Sequence, residues 1–379
     1  MKIILNFLPL KTGGGVQVAL DFLRQAELYG LDHEWHLVAR EGTPFESFAG
    51  SSYIESITLV PDNIISRLKF ELFDCVSLIK KVDPNVIYTQ FGPHWLASRG
   101  VKNVVGCAYS NLFYPELDFW EGLPWFSRLY KKFIDKLRLS RILAADVRIF
   151  ETKDLADRAR EQHDLDAGGV CYVRATVSSL VTERSTHDET RKRCEDLPVG
   201  YKILLLSGYH PNKNIEFLVN TVSTMKRKGI LGIKFVLTLP EANAGTQEIL
   251  RKVQDLGVAA YIYNMGPIPQ AGCCEVYRHC DAAILPSTLE SFSNMIAESW
   301  EMKKPLFISD LSWGRSLCGA GAIYYKFLDS NSLIEKIVAL KADEKLQENV
   351  INEGRKRLGE YPSPQERFLS YLSIIEASV

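Results

Sequence analysis

The sequence predicts two α/β domains in tandem, each a doubly wound parallel sheet. Three observations carry that reading. Short β-branched apolar runs alternate with longer stretches of helical period. The alternation restarts after a polar interval near the middle of the chain. At 379 residues the chain is also about two to three times one ordinary domain. Apolar strands separated by helices imply parallel sheets covered on both faces.

In the first half, strands are predicted over residues 2–8, 34–39, 56–60, 85–90, 103–109, 146–151 and 170–174, with helices over 15–29 and 65–82. The opening MKIILNFLPLKTGGG runs from a short apolar stretch into Pro9 and Lys11, where a secretion signal would carry a small-residue cleavage site. It therefore reads as a first strand. The polar stretch 176–200, with Ser178-Ser179, Thr182-Glu183-Arg184-Ser185 and Arg191-Lys192-Arg193, is expected to be a linker. Strands then recur over 201–206, 233–239, 260–264, 281–285 and 305–309, and helices over 214–228, 247–256, 272–279 and 294–302. The expected domains are 1–175 and 201–362, facing a central cleft. In such folds ligands bind beyond the carboxyl ends of the strands, so chemistry is sought there.

Composition excludes several function classes. Apolar residues make up 46% and charged residues 24%, which is not the composition of a disordered or fibrous chain. Lys and Arg number 45 against 46 Asp and Glu, so no global basic field exists to hold nucleic acid. No apolar run reaches the roughly 18 residues of a membrane span. The eight cysteines form neither a disulfide framework nor paired Cys-x-x-Cys units. Cys273, Cys274 and Cys280, in CCEVYRHC, read as small apolar positions of one amphipathic helix in preference to metal ligands.

The richest segment is 285–310, LPSTLESFSNMIAESWEMKKPLFISD. A strand ends at Leu285-Pro286, a polar loop follows, and Ser293 or Asn294 can cap a helix carrying Met295, Ile296 and Trp300 on one face. Glu290 falls in the loop and Glu298 in the helix's second turn. A helix N-terminus attracts an anion and carboxylates accept hydrogen bonds from sugar hydroxyls. Phosphate beside hydroxyls describes a nucleotide sugar.

This stretch resembles the Glu-x7-Glu motif of the family 4 glycosyltransferases of GT-B fold, through Pro286, Ser287, Glu290, Phe292, Glu298, Pro305, Ser309 and Asp310. The resemblance implies that Glu298 binds the donor ribose, and that Glu290, with the backbone of Phe292, Ser293 and Asn294, holds sugar and pyrophosphate. Ser291 and Ser293 replace two loop glycines and Lys304 is read as replacing the glycine before Pro305; such replacements need negative φ. LLLSGYHPNKNIEFLV, 204–219, is similar to the family's diphosphate-gripping unit. Lys213 stands at its lysine and His210 near its missing arginine. By the same resemblance Gly266, Pro267 and Ile268 flank the base, and Gly13, Gly14 and Gly15 form a loop approaching the donor. The final helix, within 363–379, is expected to pack back on the first domain.

The family's first-domain histidine has no clear counterpart. Ser110 and Asn111 occupy the comparable loop, His94 is a substitute candidate or a structural histidine, and Glu116 is a candidate for acceptor hydroxyls. The resemblance implies a retaining transfer from a nucleotide-diphosphate sugar to a saccharide or lipid-linked saccharide, in cell-surface polysaccharide biosynthesis, in the cytoplasm. It implies no cofactor and no metal. Asp164-Leu165-Asp166 is spaced like the metal motif of the other large glycosyltransferase fold, but lies far in sequence from the donor motif. Alternatives are an epimerase of the same fold and a catalytically silent saccharide or nucleotide binder. A nicotinamide enzyme is disfavoured because Gly13-x-Gly15-x-x-Val18 lacks the third glycine of that fingerprint. Residues 117–141 combine Phe119, Trp120, Trp125 and Phe126 with six Lys and Arg. Either they meet an anionic membrane surface, or the aromatics turn into the core.

Overall fold

The computed structural model describes residues 1–11, 13–95, 97–98, 100–121, 123–176 and 181–379. The chain divides into two compact units, Met1–Thr176 with Pro362–Val379, and Val177–Tyr361.

The first unit is a seven-stranded parallel sheet in the order β3-β2-β1-β4-β5-β6-β7. Along the chain come β1 (Lys2–Asn6), α1 (Gly14–Tyr29), β2 (Glu34–Arg40), β3 (Ile54–Val60), α2 (Ile64–Lys69), α3 (Cys75–Val82), β4 (Val86–Thr89), β5 (Lys102–Cys107), α4 (Trp125–Leu143), β6 (Val147–Phe150), α5 (Lys153–His163) and β7 (Val170–Tyr172). The period-2 pattern of β1 decides which helices it holds. Ile3 and Leu5 pack into a cluster with α1 and the C-terminal Phe368, Tyr371 and Ile375, whereas Ile4 packs on the opposite face with Phe70, Cys75 and Trp95. The expected strand 2–8 stops at Asn6. Its amide donates to Thr89 Oγ1 at 3.0 Å and its Oδ1 accepts from the Leu8 N–H at 3.2 Å, turning the chain out of the sheet. The single helix expected over 65–82 is interrupted by a π-helical turn, Phe70–Asp74, which carries buried Glu71.

The second unit begins earlier than the sequence reading places it. Within the expected linker 176–200, α6 (Asp188–Glu195) is folded, and His187 Nδ1 accepts from the Thr190 N–H to cap it. Then follow β8 (Tyr201–Leu205), α7 (Ile215–Arg227), β9 (Ile233–Leu237), α8 (Ala244–Asp255), β10 (Ile262–Asn264), α9 (Cys273–His279), β11 (Ala282–Leu285), α10 (Asn294–Glu301), β12 (Leu306–Ser309), α11 (Ser312–Cys318), β13 (Ile323–Tyr325), α12 (Ser330–Ala342) and α13 (Glu344–Leu358). The sheet is parallel, ordered β10-β9-β8-β11-β12-β13. The order reverses direction at β8 and β11, which makes the carboxyl ends of these two strands the switch point at which open α/β sheets bind ligands.

The last helix, α14 (Pro364–Ala377), belongs to the first unit, where Phe368 and Tyr371 pack against Phe22 of α1. A capping box between Ser363 and Glu366 fixes its start. No helix among the described residues is long and apolar enough to cross a membrane.

Candidate donor site

The loops after β8 and β11 are bound to each other by polar side chains. Asn212 donates its amide to Leu289 O at 2.7 Å and accepts from the Leu289 N–H at 3.1 Å, mimicking a strand pair. Asn214 adopts φ 47°, a left-handed conformation that asparagine tolerates better than most residues, and donates to Pro286 O at 2.8 Å and Thr288 Oγ1 at 3.0 Å. Trp313 of α11 donates to Thr288 O at 2.9 Å from behind.

This frame brings together two residues that the sequence reading assigns to the same ligand from separate segments. Lys213 Nζ lies 2.7 Å from Glu290 Oε1, with side-chain exposures of 18% and 12%. Burial of that degree strengthens a charge-assisted contact relative to one in bulk water. His210 is turned into its own loop, where Nδ1 accepts from the Asn212 N–H at 3.1 Å.

Ser293 occupies the N-cap position of α10 with φ −121°, and its side chain makes no capping hydrogen bond. The Ser293 side chain therefore does not satisfy the first-turn N–H groups, which are donors of the kind that meet an anion at a helix start. Neither Ser291, Ser293 nor Lys304 has positive φ; the left-handed residue near Pro305 is Lys303, at φ 54°. The conformation expected of a glycine at Lys304 is thus one residue earlier. Phe292 leans on Tyr361, ring centroids 5.7 Å apart. Asp310 is held by Arg315 through two contacts of 2.7 and 2.8 Å, which keep its carboxyl below the usual range.

Glu298 is 5% exposed, and Tyr277 of α9 donates to its Oε2 at 3.3 Å. Burial pushes its carboxyl up to about 7, with the tyrosine hydrogen bond opposing. Nearby Cys273 is raised to about 12 by burial, as an inert interior thiol would be. All eight cysteines are free.

A further residue positions the loop after β10. Arg193 of α6 donates to Met265 O, and to Pro267 O at 3.1 Å, bracketing Gly266, which has φ 73°. Residues 266–268 are thus tied to a helix that the sequence reading places in a linker. Arg193, Asn212, Asn214 and Tyr277 all escape sequence reasoning. Only the two asparagines, flanking Lys213 in a short polar turn, leave a legible signal.

The first-unit candidates are dispersed among different environments. Gly13 is the N-cap of α1 at φ 81° and ψ −160°, a conformation essentially restricted to glycine, and both it and Gly14 have open space where a Cβ would stand. A Cβ on Gly15 would meet Leu10 at 3.0 Å. His94 Nδ1 donates to Trp95 O at 2.7 Å, which leaves Nε2 as the lone-pair nitrogen, and that atom is buried with no hydrogen-bond partner among the described residues. Burial lowers its pKa from the ordinary imidazole value, favouring the uncharged ring. Ser110 is buried, Asn111 donates to Asp135 at 2.8 Å, and Glu116 accepts from Arg158 at 2.9 Å. The two alternatives for 117–141 divide between residues: Trp120 donates to Asp135 at 2.7 Å and is half-buried, whereas Trp125 and Phe126 are exposed.

Two parallel Rossmann-like units of this kind have counterparts among known proteins. Residues 200–343 match the family model of glycosyl transferases group 1. Across 100% of this chain and 98% of the other, the structure is similar to a glycosyltransferase from Rickettsia africae, at TM-score 0.75 and 15% identity. Sucrose-phosphate synthase from Thermosynechococcus elongatus aligns at TM-score 0.74 and 15% identity over 99% of this chain and 98% of its own. Anabaena HepE, solved with UDP and glucose, aligns at 0.72 and 12% identity over the whole of both chains. The fold is that of the GT-B glycosyltransferases. A search of curated proteins found no match.

Proposed function

We propose that this chain is a retaining glycosyltransferase that moves a sugar from a nucleotide-diphosphate donor to a hydroxyl of a saccharide or lipid-linked saccharide, in cell-surface polysaccharide biosynthesis. The observation that carries this reading is the Lys213–Glu290 pair, framed by Asn212 and Asn214 in the unit whose α10 start lacks a side-chain cap. The match of residues 200–343 to glycosyl transferases group 1 supports it.

In this reading the donor diphosphate meets Lys213 and the first-turn N–H groups of α10, and Glu290 accepts hydrogen bonds from the sugar. Glu298 takes the ribose hydroxyls, and residues 266–268, braced by Arg193, flank the base. Gly14 and Gly15 carry a further proposed approach to the donor. The bond from the anomeric carbon to the phosphate oxygen breaks as the acceptor oxygen bonds to that carbon. The departing phosphate oxygen receives the acceptor proton on the same face. Fixed donors aimed at the developing phosphate charge act only as the bond breaks, which is why they accelerate the step instead of only tightening binding. Neither metal nor cofactor is part of this proposal.

His94, Ser110, Asn111 and Glu116 stay as proposed contacts around the transferred sugar and acceptor. The proposed reaction is cytoplasmic, and a lipid-linked acceptor would bring the chain to the inner face of a membrane, which residues 117–141 are proposed to meet. HepE was solved with UDP and glucose, so uridine donors are the first to test.

The test is a thermal-shift screen of nucleoside diphosphates and their sugars, followed by donor turnover with a panel of acceptors. A ligand that binds only the folded state raises its stability. The expected result is a shift by one nucleoside diphosphate and sugar transfer from its conjugate. Binding without turnover would favour a silent binder, product formation from donor alone would favour an epimerase, and no shift by any of them would overturn the site.

A further inference from the structure

Two helices of the first unit present apolar side chains to solvent. In α4, Trp125, Phe126, Leu129, Tyr130, Phe133 and Leu137 are all exposed, and the buried positions are Asp135 and Ile142. At about 100° per residue these six fall within an arc of about 140°, opposite Asp135 and Ile142. A surface helix ordinarily turns its apolar stripe inward; α4 turns it out. The second helix is α2 with the π turn behind it. It buries none of its own residues, and Ile64, Ile65 and Phe73 are 72%, 77% and 66% exposed.

One ionic clamp joins the two helices. Arg141, in the last turn of α4, donates to Glu71 Oε2 at 2.7 Å, and Arg67 of α2 donates to Glu71 Oε1 at 2.8 Å. Exposed Leu72 and Phe73 follow Glu71 directly, and Leu137 lies one turn before Arg141. The apolar rows of both helices therefore run out from a shared, buried contact.

Charge selects among occupants. Of the cations in α4, Arg128 meets Asp118, Arg138 meets Asp135 and Arg141 meets Glu71. Lys131 sits 5.2 Å from the Trp120 ring centroid, and Lys132 and Lys136 make no ion pair among the described residues. A second copy docking through the same face would set these ammonium groups against their equals, at a cost in binding. An anionic bilayer takes both features together. Its headgroup phosphates accept the ammonium groups, and its acyl boundary accepts aromatic and aliphatic rows that need no complementary pocket.

We propose that α2 and α4 together form a docking face for the surface of an anionic lipid bilayer. Ile64, Ile65, Phe73, Trp125 and Phe126 enter the acyl boundary, while Lys132 and Lys136 meet lipid phosphates. This goes beyond membrane contact by residues 117–141, because it requires α2 as a second arm, and it does not rest on the donor-site reading.

The test is co-sedimentation of the full chain with phosphatidylglycerol vesicles and with phosphatidylcholine vesicles, alongside sedimentation equilibrium without lipid. The chain should bind phosphatidylglycerol vesicles in preference to phosphatidylcholine. Lys132→Glu with Lys136→Glu, and separately Ile65→Ser with Phe73→Ser, should each weaken that binding by about tenfold or more. All substituted side chains are exposed, so the thermal midpoint and any nucleotide-induced shift should stay unchanged, which keeps failure here distinct from failure at the donor site. Three results would overturn the proposal: no binding to phosphatidylglycerol, equal binding to both lipids, or wild-type binding by the α2 variant. A dimer dissociated by Ile65→Ser with Phe73→Ser would also overturn it, by assigning the face to a second copy.

Discussion

The ammonium of Lys213 and the carboxylate of Glu290 are 2.7 Å apart although 77 residues separate them in the chain. Neither element alone makes the contact: it follows from β8 and β11 being neighbours in the sheet, with Asn212 and Asn214 fastening their loops together. In the proposed reaction an arriving diphosphate shares Lys213 with Glu290. Removing the lysine leaves a largely buried carboxylate facing the donor phosphates. Lys213→Ala should lower kcat by about 10² to 10³, as loss of one fixed donor to a developing charge does. Glu290→Gln keeps the shape and should lower kcat with a smaller change in nucleotide affinity. Steady-state kinetics with the donor identified by thermal shift checks both, and unchanged rates would remove this pair from the site.

Glu298 gives a pH signature with a defined sign. Its carboxyl titrates at about 7 in the fold, against 4.5 for the free group. Between those values the unfolded chain has released the proton and the folded chain retains it, so stability falls as pH rises through this window and levels off above about 7. The shift corresponds to about 3 kcal/mol at most. Glu298→Gln should abolish that component of the slope, measured by urea unfolding from pH 4.5 to 8.

The same residue couples nucleotide binding to protons. If ribose hydroxyls donate to the carboxylate, the ligand favours the ionised form, and affinity should rise as pH passes through about 7. Calorimetry of the wild type against Glu298→Gln isolates the effect, because the ligand's own phosphate titration is common to both. Parallel pH profiles would place the nucleotide away from Glu298.

Arg193 is expected to act through the loop it braces. Arg193→Ala removes two hydrogen bonds from a guanidinium to Met265 and Pro267 carbonyls. Charge-assisted bonds of this kind are worth about 1.5–3 kcal/mol, so nucleotide affinity should fall by about tenfold or more while kcat at saturating donor changes little. Discrimination among bases should narrow too. Competition binding with a set of nucleoside diphosphates measures this, and retained selectivity would detach residues 266–268 from the base.

Gly13 and Gly14 separate a backbone requirement from a proximity requirement. Gly13→Ala forces a side chain into φ 81° and should cost about 1–3 kcal/mol of stability. Gly14 has no such φ and nothing within 4 Å of a new Cβ. Gly14→Ala should therefore leave the thermal midpoint nearly unchanged yet lower donor turnover, if that loop approaches the diphosphate. Full activity in Gly14→Ala would argue against the approach.

Much of the fold was legible because it is local. The alternation of Ile3, Ile4 and Leu5 between two apolar clusters is written in a three-residue stretch, and the helix after Ser293 follows from a periodic apolar run that begins there, although Ser293 does not cap it through its side chain. The Glu290–Glu298 spacing and Lys213 could be singled out for the same reason: they sit at fixed offsets from a strand end or a helix start. Residues whose roles depend on distant carbonyls could not. Arg193 lies in a polar stretch that looks like linker, and its partners are more than 70 residues away. Lys303, not Lys304, takes the left-handed turn before Pro305, because φ depends on where α10 ends in three dimensions.

The sequence by itself determined the strand-helix alternation and the presence of two α/β units, since periodicity and short spacings are properties of the chain alone. Tertiary structure decided which residues meet. It paired Lys213 with Glu290, sank Glu298 against Tyr277, enclosed the His94 ring, and turned Trp125 and Phe126 outward. The physical reason is that burial and charge pairing depend on strand order and on which helix covers which face, and neither is encoded within any one segment.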